Sequence, residues 1–147
     1  MDESRLITPT WFVATLGLVS FLGFLDATYL TVNHLVYGST PCTLLQGCEI
    51  VTSSIYSTIF GVPIALFGAL FYLIILLLTL WYWDSKQTWA LLVIAILSIP
   101  AVVVAAILVG LQAFVLKAFC LYCLISALSS TIIFILGMTY FVLFRKG

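Results

Sequence analysis

Polar and charged residues punctuate this chain at long intervals. Charge-free runs cover Leu6–Leu25, Ile50–Trp83, Gln87–Leu116 and Ala118–Phe144, and each can supply the roughly 20 mostly apolar residues that a helix needs to cross a bilayer. The pattern predicts four membrane helices, at Thr10–Val36, Ile59–Trp83, Thr88–Phe114 and Ala118–Phe144, with one long connection over 37–58. Inside lipid every backbone N–H and C=O must be paired within its own segment, which selects helices. The alternating segments of about ten residues that mark a membrane barrel are absent.

The boundaries carry local signals. Thr8-Pro9 suits a helix start, because the missing proline N–H costs nothing in a first turn. Gly38-Ser39-Thr40-Pro41 ends the first helix, and Trp81, Tyr82 and Trp83 form an interfacial aromatic anchor before a short Asp84-Ser85-Lys86 turn. Pro100, midway through the third span, is expected to kink it. The first apolar segment exceeds the core of about 7–15 residues found in cleaved leaders, so we expect it to be retained as a helix.

Composition sharpens the picture. Hydrophobic residues make up 65% of the 147 and charged residues 7%, against about 45–50% and 25% in soluble domains. Mean hydropathy is +1.33. Five Lys+Arg balance five Asp+Glu, which leaves no basic face for nucleic acid. The expected fold is an all-α integral membrane protein, a single four-helix bundle with the 37–58 loop capping its outer face. Placing the termini inside puts Arg5, Lys86, Arg145 and Lys146 in the cytoplasm and leaves Lys117 outside, the arrangement that the positive-inside rule favours. Small residues recur at packing spacing: Gly61, Ala65, Gly68 and Tyr72 on the second helix, and Cys120, Cys123, Ala127, Ser130 and Gly137 on the fourth. They are expected to form close helix–helix seams.

That topology gathers the four cysteines. Cys42 and Cys48 lie in the outer loop, and Cys120-Leu121-Tyr122-Cys123 opens the fourth helix at the same surface. Three readings compete. Two inert disulfides are permitted in an oxidising compartment. A four-cysteine zinc site fits less well, because five residues separate Cys42 from Cys48 where ligand pairs usually have about two to four. The leading reading is a dithiol relay, since a C-x-x-C at a helix start favours thiolate. A loop pair can exchange with a soluble thiol protein, and a pair at the membrane rim can reach a lipid-soluble oxidant. Strong periplasmic disulfide oxidants sit near about −120 mV, so recharging them through a glutathione-like acceptor near about −200 mV is uphill by several kcal/mol, and a quinone is the reasonable acceptor.

Cys42-x5-Cys48, Ser53-Ser54, Ile59-Phe60-Gly61-Val62-Pro63 and Cys120-x-x-Cys123, in that order, resemble the vitamin K epoxide reductase family. Asp26-Ala27-Thr28-Tyr29-Leu30 is similar to the first helix of its prokaryotic members. The pair order is the reverse of that in disulfide bond formation protein B. The resemblance implies a four-helix bundle around a quinone (menaquinone, ubiquinone or a vitamin K-type naphthoquinone), with no metal. It implies Cys120 and Cys123 as the active-site pair, Cys123 facing the quinone, and Cys42 and Cys48 as the relay, Cys48 bridging to Cys120. It places Ser54 near the active site. At two naphthoquinone-binding positions, where mammalian members carry Asn and Tyr, this chain has Ser57 and Ala127, a departure that bears on epoxide reduction and anticoagulant sensitivity. The implied partner is a thioredoxin-fold thiol protein acting in trans, since no fused domain follows the fourth helix. The implied setting is a bacterial or archaeal cytoplasmic membrane, or the ER membrane in a eukaryote. The alternatives are a vitamin K epoxide reductase in the mammalian sense and a non-enzymatic scaffold with two structural disulfides.

Other residues fill in the expected site. Phe60, Phe119, Tyr122 and Tyr56 are candidates for a quinone pocket, with interfacial placement as the competing role. Asp26, ionisable within a span, is either functional or paired with a helix-end donor. His34 is expected at the interface, and Glu49 beside Cys48 opposes thiolate formation there.

Overall fold

The computed structural model describes residues 10–37, 55, 58–117 and 121–143. Four helices carry the fold: α1 (Thr10–Tyr37), α2 (Ile64–Ser85), α3 (Thr88–Gly110) and α4 (Leu121–Leu143). All four are long and apolar enough to cross a membrane. The chain is a multi-pass membrane protein, and its many exposed large apolar side chains, among them Leu18, Leu77, Ile107 and Leu128, are what a lipid-facing surface requires. Packing runs in a ring, α1 on α2, α2 on α3, α3 on α4 and α4 on α1, with α1–α2 and α3–α4 the most extensive pairs. Many hydroxyl side chains within the spans are satisfied locally: those of Ser20, Thr31, Thr79 and Thr139 each donate to the carbonyl four residues earlier, which avoids a lone donor in hydrocarbon at those positions.

The second helix starts at Ile64 and not at Ile59 as predicted. A small antiparallel hairpin precedes it, Thr58–Ile59 (β1) paired with Val62–Pro63 (β2). The two turn residues, Phe60 (φ 53°) and Gly61 (φ 81°), are both left-handed, the combination that matches a two-residue turn to the twist of its strands. Pro63 follows in extended backbone (φ −60°, ψ 136°), and proline also biases the residue before it away from helix. Apolarity continues through Ile59-Phe60-Gly61-Val62, so a hydropathy pattern runs the helix straight through it.

Two further details differ from expectation. Of the aromatic trio at the end of α2, Trp81 and Trp83 are exposed, whereas Tyr82 belongs to the core. The α2–α3 turn is closed by Lys86 in left-handed conformation, whose N–H donates to the Tyr82 carbonyl at 2.8 Å. The Lys86 ammonium lies 5.4 Å from the Trp83 ring centroid, within cation–π range. α3 runs without a break through Pro100, then widens into a π-helix over Leu111–Leu116, closed by the Lys117 N–H bonding to the Gln112 carbonyl.

The two ends of the bundle are built differently. Toward the α2–α3 turn, Phe12, Val13 and Leu16 of α1 pack with Ile75 and Tyr82 of α2, Leu91 and Ile94 of α3, and Ile133 and Tyr140 of α4 in one buried core. There Gly137 lets α4 approach α3 closely, since a Cβ on it would stand 2.9 Å from the Ala95 Cα. Gly137→Ala is expected to lower thermal stability in detergent by about 1 kcal/mol net, overpacking outweighing the gain in helix propensity. A melting curve on the purified variant checks this. At the other end the helices enclose a cavity.

Candidate functional site

Among the described residues Cys123 is the one cysteine, and α4 places it in its first turn, half-buried. It packs with Ala65, Leu116, Leu121 and Tyr122 around the buried Leu30. Cys42, Cys48 and Cys120 lie outside the described residues, as do Ser54, Tyr56, Ser57 and Phe119, so the relay pairings and the four-cysteine zinc alternative fall there too.

Cys123 lines a cavity of ≈ 470 Å³ at its end of the bundle, within the range of about 300–1,000 Å³ typical of small-molecule sites. All four helices contribute: Leu30 and His34 from α1, Ala65, Gly68 and Tyr72 from α2, Pro100, Val104 and Leu108 from α3 with Gln112 of its π-helical extension, and Ser126, Ala127 and Ser130 from α4. The small-residue faces therefore serve a different end from the one predicted. Ala65 and Gly68 on α2, with Cys123, Ala127 and Ser130 on α4, border open space; only Gly137 forms a tight seam. Gly61 lies in the hairpin, outside α2. Phe67, Leu70, Ile74 and Val104 line the cavity and are also exposed on the outer surface. The cavity thus communicates with the lipid-facing side between α2 and α3.

Its walls are almost wholly apolar, with hydroxyls at the deep end. Tyr72, 1% exposed, reaches across from α2 and donates to the Ser126 carbonyl at 2.5 Å, with the Ser130 hydroxyl at 2.8 Å and that of Ser126 at 3.1 Å. Burying a tyrosine hydroxyl in a membrane bundle demands such partners. Tyr72 belongs both to the packed core and to the cavity lining, so its ring divides the solid half of the bundle from the hollow half. The ring fits because Gly23 of α1 has no side chain: a Cβ there would come within 2.5–2.8 Å of three ring atoms.

One turn beyond Gly23 on α1 stands Asp26. Its Oδ2 is buried and has no hydrogen-bond partner among the described residues, so the expected pairing with a helix-end donor is not found among them. A carboxyl group held this way in a span is costly and marks the position as functionally suspect.

The residues singled out in the sequence divide. Ala127 lines the cavity with Cys123. Phe60 does not: it is the fully exposed tip of the hairpin, at 101%, because the left-handed turn points it away from the bundle. Tyr122 lies outside the lining and packs against Tyr29 with ring centroids 4.9 Å apart. His34, expected at the interface, is half-buried and lines the cavity. Sequence reasoning missed Gln112 and Ser126, and saw in Tyr72 and Ser130 only seam residues. Ser126 and Ser130 stand three and seven residues after Cys123, and that helical spacing was the available signal. Gln112 is buried, 2% exposed, by the π-helix, a local widening common at functional sites but without a sequence signature here.

Among the described residues the arrangement offers one thiol at the wall of a lipid-accessible apolar cavity with hydroxyls at its floor. A planar apolar ring bearing oxygens is the kind of molecule that such walls accommodate. No curated protein matches the chain. The model of the vitamin K epoxide reductase family matches residues 14–138. A match running from α1 into α4, over the same four helices that enclose the thiol-lined cavity, makes this chain a member of the vitamin K epoxide reductase family and, with it, a membrane oxidoreductase.

Proposed function

We propose that the chain is a thiol–disulfide oxidoreductase that couples disulfide formation in a thioredoxin-fold partner, acting in trans, to reduction of a membrane quinone. Electrons enter at Cys42 and Cys48, pass to Cys120 and Cys123, and leave to the quinone. The partner's two thiols give up two electrons and two protons and become a disulfide. The quinone gains both and becomes the quinol, and the chain's own cysteine pairs return to their starting state. The charge bias supports a setting in which the cysteines face outside and the termini the cytoplasm, in a bacterial or archaeal membrane or the equivalent ER membrane.

The observation that carries this reading is Cys123 at the wall of the apolar cavity. A thiol there meets what is dissolved in lipid, not what is dissolved in water. The opening between α2 and α3 suits a substrate with an apolar tail, and the deep hydroxyls suit ring oxygens.

The full chain in lipid nanodiscs, given a quinone and a reduced thioredoxin-fold dithiol protein, is expected to form one quinol per partner disulfide, followed by quinone absorbance in stopped flow. Cys42→Ala is expected to lose oxidation of the protein dithiol while keeping quinone reduction driven by dithiothreitol. Formation of no quinol from menaquinone, ubiquinone or a naphthoquinone, with either dithiol, overturns the reading.

A further inference from the structure

We propose that Ser126 binds the substrate's ring oxygen: its hydroxyl donates a hydrogen bond to a carbonyl of the quinone held against Cys123, with Tyr72 and Ser130 positioning it. The proposal rests on the reading that the cavity takes a quinone, and it names the residue that orients the ring.

The first observation is a departure within α4. Five serine and threonine residues lie on this helix. Those of Ser129, Ser130, Thr131 and Thr139 donate to the carbonyl four residues back, at 2.7–3.0 Å. Ser126 makes no such bond to Tyr122. Among the described residues its hydroxyl meets only that of Tyr72, at 3.1 Å, long for an O–H···O contact, whose usual distance is about 2.7–2.8 Å.

Proton bookkeeping then singles it out. The Tyr72 hydroxyl spends its proton on the Ser126 carbonyl at 2.5 Å. The Ser130 hydroxyl has that same carbonyl at 3.0 Å and the Tyr72 oxygen at 2.8 Å. The Ser126 proton is the least committed of the three, and a hydroxyl proton rotates to suit an acceptor. Tyr72 and Ser130 thereby hold Ser126 by its backbone carbonyl, and the Ser126 donor is engaged by the long contact to the Tyr72 oxygen, which an acceptor in the cavity can replace.

Position completes the case. Ser126 lines the cavity and follows Cys123 by three residues on one helix face, about 4.5 Å deeper at 1.5 Å rise per residue. A thiol and a donor on one rigid helix keep a fixed separation, as a thiol attacking a ring whose oxygen is held nearby requires. His34 and Gln112, also polar and in the lining, come from other helices and hold no fixed separation from Cys123 along α4.

The test uses the full chain in nanodiscs with a carbon-13-labelled 1,4-naphthoquinone as probe. Infrared difference spectra read its carbonyl stretch, and steady-state kinetics with dithiothreitol read KM and kcat. Wild type is expected to show one carbonyl band shifted to lower frequency, the mark of a hydrogen bond. In Ser126→Ala that shift is expected to vanish and KM to rise about 5–10-fold, the effect of losing one such bond. Ser126→Thr is expected to restore both. Tyr72→Phe, which keeps the ring and removes the hydroxyl that positions Ser126, should broaden the shifted band. An unshifted carbonyl in wild type, or a shifted band and unchanged KM in Ser126→Ala, overturns the proposal. The two readings also separate: a Ser126-dependent shift without turnover keeps this inference and sinks the redox reading, whereas turnover indifferent to residue 126 does the reverse.

Discussion

Cys123→Ala is expected to cut quinone reduction to below roughly 1% of the parent rate, since a two-electron dithiol couple cannot complete itself with one sulfur. Cys123 is the thiol seen at the cavity wall, where the proposed function has the lipid-soluble oxidant reach the chain. The expected loss is therefore independent of the electron donor, whether dithiothreitol or a thioredoxin-fold protein. Cys48→Ala supplies the contrast. It lies on the donor side of the proposed relay, so quinone reduction by a small membrane-permeant dithiol should survive it while oxidation of the protein partner fails. The Cys123 substitution replaces a small half-buried side chain by another, so melting within about 1 kcal/mol of the parent is expected and separates lost chemistry from lost fold. Normal quinone reduction in Cys123→Ala, with loss in Cys120→Ala, assigns the quinone-facing role to the other sulfur.

Gly23→Ala is expected to damage stability and site together. The added methyl would stand 2.5–2.8 Å from three atoms of the Tyr72 ring, inside any tolerable contact. That ring cannot yield cheaply, being 1% exposed and tied by its hydroxyl to α4. Either α1 backs away from α2, opening the most extensive helix pair in the bundle, or Tyr72 swings and leaves the Ser126 carbonyl and the Ser130 hydroxyl. Overpacking of this kind costs about 1–3 kcal/mol, and each deserted hydrogen bond adds about 0.5–1.5 kcal/mol. Chemical unfolding in mixed micelles reads the first effect. Double substitution with Tyr72→Ala, which removes the obstructing ring, should recover part of the Gly23→Ala penalty; strict additivity of the two losses places the conflict elsewhere.

The spans were legible because lipid imposes a coarse rule, long apolar runs broken by charge, and the charges here are few enough to leave little choice. What failed was finer. Ile59-Phe60-Gly61-Val62 is as apolar as the helix it precedes, yet Gly61 and Pro63 set a hairpin there; hydropathy has no term for backbone handedness. Tyr82, flanked by two tryptophans, reads as an interfacial anchor, but helical phase turns it inward while Trp81 and Trp83 face out. The small faces on α2 and α4 were visible as patterns, but whether small residues bring helices together or leave room between them depends on what stands opposite. Gly137 has Ala95 against it, and Ala127 has the cavity. The cysteine order pointed to the right family because it records chemistry and not shape. Phe60 shows the limit of that route, since its place in a family motif did not put it in the cavity.

The contrast between the bundle's two halves has a mechanical consequence. Below Tyr72, interlocked side chains from all four helices make a stem that resists deformation, as close-packed interiors do. Above it, the described helices surround open space instead of one another, and Phe67, Leu70 and Val104 stand at the gap between two of these prongs. Stiffness is set by contact, so among the described residues compliance concentrates along the prongs, where local opening is cheapest. A guest bulkier than the resting space can be admitted by splaying them while the stem holds register, and Cys123 rides on a prong. The molecule can flex around its cavity without loosening where it is held together.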